Sequence, residues 1–227
     1  AEFFELGSGV NYSINELADI FDCEKEYIPP RPGEYDKTLC DYSRAKKYLG
    51  YKPKGNLEKI LSNSVVTIVG AGINDDEKIP DGVLIAADGA VSACLKRNLI
   101  PDLVVSDLDG HLPDIVWANQ HGSKIIVHGH GDNLSRLFDF SSEIQPICLT
   151  TTYPSSMTNC WGGFTDGDRA LMMSLSLGCK SVNLVGFDFK RVGEYTGKYS
   201  PNKLKKLSWA RKIVNICQEK TGKIVII

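Results

Sequence analysis

Five short apolar segments, each ending in Gly, Asp or His residues, constrain the fold of this 227-residue chain more than any other feature. Continuous apolar runs are typical of parallel strands that are buried on both faces. In open parallel sheets, ligands bind outside the carboxyl ends of the strands. The pattern therefore predicts an α/β fold, a mostly parallel sheet flanked by helices, with one acidic, glycine-lined cleft. The segments are 65–69, 83–87, 103–106, 124–127 and 182–185.

Two aspartates follow the third segment, with one residue between them. Successive side chains of a strand alternate between its faces, so Asp107 and Asp109 point the same way. A hard cation such as Mg²⁺ takes one or two protein carboxylates and fills its other positions with water and phosphate oxygens. The pair predicts a site for Mg²⁺ and a nucleotide, the alternative being a polar turn after a buried strand.

A third acid, Asp132, follows the next predicted strand. It comes 25 residues after Asp107, the length of one helix and one strand, which places it at the tip of a neighbouring strand. We therefore predict that Asp107, Asp109 and Asp132 are the metal ligands and the catalytic residues. His128 and His130 make zinc the rival metal, but zinc prefers three or four nitrogen or sulfur ligands, and no cysteine is suitably close in sequence.

Other residues at the predicted strand ends are candidates for nucleotide binding. Gly70 and Gly72 would let the backbone approach a phosphate or ribose, although a tight strand-to-helix turn is an equally good explanation. Asp88 either caps the helix that follows it or binds a ligand, and one residue can do both. His130 can hydrogen-bond a phosphate or serve as an acid or base.

A basic run follows the last of the five segments. It begins at Lys190, ends at Lys206 and includes Lys198 and Lys203. Such a run, with glycines among the lysines, predicts a lid over the phosphates, in which Lys198 and Lys203 bind the nucleotide. The alternative is a solvated charged face, which is what most charge runs are.

A polar loop and a glycine-rich helix start predict the substrate-binding part of the cleft. The loop runs from Thr150 and Thr151 to Asn159. Gly163 and Thr165 lead into a helix that begins at Asp166. Free amide groups at a helix start can hold an anion or the polar edge of a substrate, although Asp166 as a simple cap is the alternative. Asp188, which follows the strand at 182–185, is the last predicted substrate-binding residue.

Composition excludes several classes of function. A formal net charge of -2 and a pI near 6.1 give no electrostatic footprint for nucleic acid or for a membrane surface. The seven cysteines form no Cys-x-x-Cys pair, which argues against a zinc ribbon and favours free thiols in a reducing compartment. No apolar stretch approaches the ~20 residues that span a bilayer. We therefore expect a cytoplasmic protein.

The first 62 residues differ from the rest and predict a small helical appendage to an α/β domain at 63–227. A capping box at 13–16 starts one helix, and Gly50 ends a second. The motifs at 4–9, 12–17, 30–34 and 48–53 resemble the C-terminal end of NAD-dependent nucleotide-sugar epimerases over about residues 3–61. This resemblance implies phosphate contacts for Arg31, but the epimerase Tyr-x-x-x-Lys pair has no counterpart in context. We therefore interpret the segment as a structural appendage or a gene-fusion remnant, the alternative being a working sugar-nucleotide site.

The motifs at 87–90, 101–110, 130–133, 162–170 and 184–189 together resemble the archaeal 6-hydroxymethyl-7,8-dihydropterin diphosphokinase family, whose fold is thiamine diphosphokinase-like. The resemblance covers about residues 64–227. It implies that Asp107, Asp109 and Asp132 bind the metal and that Asp88 lies beside the nucleotide. The turn at 70–74 departs from the pattern of relatives, which often continue with Pro-Ser, so nucleotide contacts there are less well supported.

The resemblance implies an enzyme, a diphosphokinase that uses ATP and Mg²⁺ to transfer a diphosphoryl group to a reduced pterin and releases AMP. Its partners would be these small molecules, with neither nucleic acid nor membrane; a homo-oligomer is left open. The alternatives are a thiamine diphosphokinase, a glycosyltransferase-like protein and a nucleotide-binding module without turnover. The choice between pterin and thiamine depends on a pocket built from loops, which the sequence does not define.

Overall fold

The computed structural model describes residues 57–140, 143–144, 146–153, 158–196 and 202–227. The chain divides into two units, 1–56 and 57–227, and every described residue belongs to the second. The predicted appendage, with Arg31, lies outside the described residues. The described unit confirms the predicted α/β class, because a parallel sheet is flanked by helices on both faces.

Seven strands form one sheet in the described part of the chain, and all their pairings are parallel. They are β1 (Val65–Val69), β2 (Val83–Ala87), β3 (Leu103–Ser106), β4 (Lys124–Gly129), β5 (Pro146–Thr151), β6 (Ser181–Val185) and β7 (Ile224–Ile226). Their order is β5-β4-β3-β2-β1-β6-β7. The chain runs outward from β1 to β5 and then returns to the other side of β1, so the order reverses between β1 and β6. Ligands bind at such a switch point in open α/β sheets.

Six helices connect and cover these strands within the described residues. They are α1 (Leu57–Leu61), α2 (Ala90–Lys96), α3 (Leu112–Gln120), α4 (Leu134–Phe140), α5 (Asp166–Ser176) and α6 (Asn202–Thr221). Proline and glycine residues mark the ends of several of these helices. Pro113 stands in the first turn of α3, and left-handed glycines follow α5 and α6 at Gly178 (φ 78°) and Gly222 (φ 63°).

The core consists of two apolar layers, one on each face of the sheet. Strand residues alternate between them, so that Val66 and Ile68 face the layer with α1 and α5, while Val69 faces the layer with α2 and α3. Both layers are made of fully buried aliphatic side chains. This packing fixes the sheet and leaves the loops at the carboxyl ends of the strands to form the site.

Two elements differ from the sequence-based expectation. α1 precedes the predicted start at residue 63, yet Leu57 and Leu61 are buried in the core of the described unit. β5 occupies residues that we expected to form the start of a polar loop, including Thr150 and Thr151. It is an edge strand, mostly half-buried, and therefore lacks the continuous apolar pattern of the inner strands. None of the described helices is both long and apolar enough to cross a membrane.

Candidate active site

A cleft of about 490 Å³ opens at the carboxyl ends of the central strands, above the switch point. Its walls come from the loops after β1, β2, β3, β4 and β6, and from the first turns of α5 and α6. Most of the predicted site residues line it. These are Gly70, Gly72, Asp88, Asp107, Asp109, His130, Asp132, Gly163, Thr165, Asp166, Asp188 and Lys203. Lys198 lies outside the described residues.

Three carboxylates converge on the floor of this cleft. One oxygen each from Asp88, Asp107 and Asp109 lies within 4.8 Å of the other two. Asp132 is exposed on the cleft wall and does not belong to this group, so its predicted role as a metal ligand stays a prediction. The structure thus brings together two of the three predicted ligands and adds Asp88, which we had placed beside the nucleotide.

Unusual backbone conformations produce this convergence. Asp88 follows β2 with φ 43° and Leu108 follows β3 with φ 65°, both in the left-handed region that L-residues rarely occupy. The Ser106 hydroxyl ties the two turns together, because it donates to Oδ1 of Asp88 (2.5 Å) and accepts from the backbone N–H of Leu108 (2.8 Å). Asp88 is therefore held against the Asp107–Asp109 turn.

The acids repel one another in a partly dehydrated setting. Burial, helped by the charges of Asp109 and Asp107 and opposed by the Ser106 hydrogen bond, raises the pKa of Asp88 to about 7. Burial and the charge of Asp109 also raise the pKa of Asp107. Burial, with the charges of Asp107 and Asp88, raises the pKa of Asp166 well above its ordinary value. A dication would relieve this repulsion, and oxygen donors are the ligands that Mg²⁺ prefers, so the residues fit that ion.

Asn133, which was not among the predicted site residues, positions two loops of the site. Its buried side-chain amide donates to the carbonyl oxygens of Asp107 (2.8 Å) and His128 (2.7 Å). Its Oδ1 accepts from the backbone N–H of His130 (3.1 Å). His130 in turn places Nε2 3.5 Å from Oδ2 of Asp107. The loops after β3 and β4 are therefore joined through one amide group.

The glycine turns form the opposite end of the cleft, at β1 and β6. A Cβ atom at Gly70 or Gly72 would come within 2.8 Å of the Gly186 oxygen, so only glycine permits this approach. The segment 188–196 crosses the same turns, and Tyr195 donates a backbone hydrogen bond to the Ala71 oxygen (3.2 Å). Gly70 and Gly72 donate their own backbone N–H groups to the oxygens of Val185 (2.8 Å) and Gly186 (3.1 Å), so both glycines serve the packing of the two turns. Their predicted contacts with a nucleotide stay a prediction.

Two predicted residues have their side chains engaged with other protein groups. The Asp188 carboxylate accepts from the Lys190 backbone N–H (2.8 Å) and from Nε of Arg191 (2.7 Å), and these bonds lower its pKa. Asn159 does not line the cleft, because its backbone pairs with β5 and its side-chain amide contacts the Cys148 sulfur (2.9 Å). Their roles in substrate binding stay predictions.

The start of α5 differs from the alternative in which Asp166 caps it. The helix follows Thr165, whose hydroxyl hydrogen-bonds Asp168, and the buried Asp168 carboxylate accepts from the backbone N–H groups of Phe164 (2.8 Å) and Thr165 (2.7 Å). Asp166 is thereby left to face the cleft. Arg169, which sequence reasoning did not select, lies beside it with Nε 4.0 Å from Oδ1 of Asp166.

Known proteins are similar in sequence to most of this chain. Residues 42–194 match the model of the family described as 6-hydroxymethylpterin diphosphokinase MptE-like. A 6-hydroxymethyl-7,8-dihydropterin pyrophosphokinase from Pyrococcus furiosus is 38% identical over 185 residues, which cover 72% of this chain and 76% of the relative. The protein of the same name from Methanocaldococcus jannaschii is 34% identical over 196 residues, covering 74% and 80%.

A shorter similarity concerns a different class of protein. A UDP-glucose 4-epimerase from Caenorhabditis elegans is 31% identical over 68 residues, which are 27% of this chain and 20% of that protein. This agrees in kind with the resemblance to nucleotide-sugar epimerases. The longer matches confirm the other resemblance and with it an enzyme of the transferase class. The chain belongs to the MptE-like 6-hydroxymethylpterin diphosphokinase family.

Proposed function

We propose that this protein transfers a diphosphoryl group from ATP to 6-hydroxymethyl-7,8-dihydropterin in a reaction that requires Mg²⁺ and releases AMP. The observation that carries the proposal is the convergence of Asp88, Asp107 and Asp109 within 4.8 Å on the floor of a glycine-lined cleft. The names of the relatives support the acceptor. The oxygen-only donor set supports Mg²⁺ over zinc.

The proposed reaction forms one phosphorus–oxygen bond and breaks another. The hydroxymethyl oxygen of the pterin forms a bond to the β-phosphorus of ATP, and the bond from that phosphorus to the oxygen of the α-phosphate breaks. AMP leaves with that oxygen, and the hydroxyl proton is released. Catalysis of such a transfer is mainly positioning and charge neutralisation.

The chain's own residues supply both contributions. Asp88, Asp107 and Asp109 would hold Mg²⁺, which neutralises phosphate charge when it is bound. Asn133 fixes the Asp107 loop against the His128–His130 loop, so the carboxylates are positioned before substrate arrives. The turn at 70–72 lines the cleft with little side-chain bulk, which leaves room for phosphates, and Lys203 and Lys206 line the cleft as countercharges.

The direct test measures products with two acceptors. The purified chain is incubated with Mg²⁺, ATP and either 6-hydroxymethyl-7,8-dihydropterin or thiamine, and AMP and the diphosphorylated product are quantified by chromatography and mass spectrometry. We expect equimolar AMP and pterin diphosphate, and no thiamine diphosphate. Activity with thiamine alone would contradict the proposed acceptor.

Controls separate transfer from other uses of ATP. A reaction without acceptor measures hydrolysis, which should release ADP or AMP without a diphosphorylated product. A reaction with EDTA should abolish transfer. Asp109→Asn tests the cluster itself, and Asp81→Asn, an exposed acid outside the cleft, serves as its matched control. Equal transfer by both variants would contradict the assignment of the site.

A further inference from the structure

Arg169 is a buried cation with unused hydrogen-bonding capacity on the wall of the cleft. Its side chain is 7% exposed. Nη1 donates to the Gly162 oxygen (2.9 Å), which is the one hydrogen bond that this side chain makes to the described residues. Nε finds no partner there, since Oδ1 of Asp166 stands 4.0 Å away, beyond hydrogen-bond distance.

A buried guanidinium with an unpaired N–H group lowers the stability of the fold unless a ligand supplies the missing acceptor. A guanidinium has five N–H donors, and buried polar groups in native proteins are nearly always hydrogen-bonded. The backbone also holds Arg169 in place, because a Cβ atom at Gly163 would come within 2.8 Å of its backbone and Cβ. The side chain is therefore prepared for an acceptor that approaches through the cleft it lines.

Arg169 lies at the end of the cleft away from the glycine turns. Its Nη1 contacts Gly162, which comes three residues after Asn159, the residue that pairs with β5. Burial lowers the pKa of His128 at the end of β4, and the charge of Arg169 lowers it further, so the two side chains lie on the same side of the cleft. The sheet order then puts β2 and β3, with the three carboxylates, between this end and the glycine turns at β1 and β6. Donor and acceptor of a transferred diphosphoryl group must lie on opposite sides of it.

We infer that Arg169 and Asp166 together bind the lactam edge of the pterin ring, which rests on the proposed function. A 2-amino-4-oxopteridine presents its ring N3–H, a donor, next to its 4-oxo oxygen, an acceptor. Oδ1 of Asp166 and the guanidinium of Arg169 present the complementary acceptor and donor side by side. The aminopyrimidine of thiamine carries an amino group where the pterin carries the oxo group, so it would direct N–H groups at a cation. Arg169 is thus a specificity residue for the acceptor.

The test compares two ligands that differ at this edge. Equilibrium binding of 6-hydroxymethylpterin and of 2,4-diamino-6-(hydroxymethyl)pteridine, both fluorescent, is measured with Mg²⁺ and α,β-methylene-ATP present. The full-length wild type should bind the oxo compound at least about tenfold more tightly, the size expected for a hydrogen bond from a charged donor. In Arg169→Gln, whose amide can accept as well as donate, the preference should fall to about twofold or less.

A second largely buried arginine, Arg97, provides the matched control. Arg97→Gln removes another largely buried arginine, one that binds the Ala93 and Asn74 oxygens outside the cleft, and should keep the preference. Affinity for Mg²⁺ with α,β-methylene-ATP should stay within about twofold in Arg169→Gln. A loss there of tenfold or more, with the oxo preference kept, would assign Arg169 to the phosphates and overturn the inference.

If Arg169→Gln does not fold, the affinities of the wild type for the two pteridines still test the inference. Equal affinities of wild type for the two pteridines would overturn the lactam contact while leaving the proposed acceptor in place. Binding of neither pteridine would overturn the proposed function, and the inference with it.

Discussion

The side-chain amide of Asn133 donates a 2.8 Å hydrogen bond to the carbonyl oxygen of Asp107, and so connects the start of α4 to the turn that carries two of the three clustered acids. The same amide donates to the His128 oxygen. One buried residue thus determines the spacing between two loops of the site. We therefore expect Asn133 to contribute to Mg²⁺ binding only indirectly, through the position of the Asp107 turn.

We expect Asn133→Ala to lower the free energy of unfolding by about 1–3 kcal/mol, because the oxygens of Asp107 and His128 lose their partner. Mg²⁺ affinity should fall as well, since the Asp107 turn is no longer fixed. Calorimetric titration and thermal melting measure both quantities. Asn119→Ala, which removes an amide bond to the Ser123 oxygen outside the cleft, should lower stability but leave Mg²⁺ affinity unchanged. Parallel losses of affinity in both variants would contradict a positioning role.

Asp107→Asn and Asp109→Asn should each slow diphosphoryl transfer by about a hundredfold or more, the ~3 kcal/mol typical of an electrostatic group at a reacting centre. Mg²⁺–ATP binding should weaken in both. The melting temperature without metal should be unchanged or higher, because each substitution removes one of several repelling charges. A variant with full Mg²⁺-dependent turnover would show that its aspartate is not an essential ligand, and one that unfolds would point to a structural turn.

Asp88→Asn and Asp132→Asn distinguish the ligand set of the structure from the one predicted by sequence spacing. Asp88 belongs to the carboxylate cluster and Asp132 does not, so Mg²⁺ affinity should fall at least about tenfold further in Asp88→Asn. Titration of Mg²⁺ in the absence of nucleotide is the cleanest measurement. The reverse ranking would favour the set of Asp107, Asp109 and Asp132.

Stability without metal should depend on pH through Asp88. Its carboxyl keeps a proton in the folded chain up to a pH of about 7, whereas the ordinary value of 3.8 applies to the unfolded chain. The free energy of unfolding should therefore fall as the pH rises from about 4 to about 7, and this contribution should not change further above that. Thermal melting in EDTA should show a smaller decline for Asp88→Asn. A decline equal to that of the wild type would assign it to other groups.

Leu61→Ala tests whether α1 belongs to the α/β unit. Leu61 is fully buried in the core layer beside α5, so its truncation should cost about 2–5 kcal/mol of stability. Leu99→Ala, at a residue 37% exposed, is the matched control and should cost about 0.5 kcal/mol or less. Denaturant unfolding of the full chain measures both. Equal, small effects would support a domain that begins only at residue 63.

The inner strands were predictable because two buried faces demand uninterrupted apolar residues, as in Val65–Val69 and Val83–Ala87. The edge strand Pro146–Thr151 was not, because it is mostly half-buried and begins with a proline, and its buried Thr150 is hydrogen-bonded to His128. Within the site, Asp107 and Asp109 do come together, but not through alternation along a strand, because β3 ends at Ser106 and the turn after it has Leu108 at φ 65°. The place of Asp88 in the cluster depends on its left-handed backbone and on Ser106, eighteen residues away, which no local pattern specifies.

The burial of Arg169 could not be predicted from the sequence either. The residue lies one turn inside α5, at a position where the sequence predicts an arginine exposed to solvent. It is buried because the loop at Gly162 and Gly163 packs against it. The backbone conformation of Gly163 (φ 98°) was visible in the sequence only as a glycine pair. Sequence spacing predicted the location of the cleft, therefore, but not which charges face each other across it.

On the proposed function, the left-handed backbone of Asp88 (φ 43°) predicts that metal binding and thermal stability oppose each other at this residue. Asp88→Gly would relax an unfavourable torsion and delete a repelling charge at once, so laboratory selection for heat resistance without substrate should reach this substitution early and discard the ion site. Selection in the presence of Mg²⁺ and ATP should oppose it.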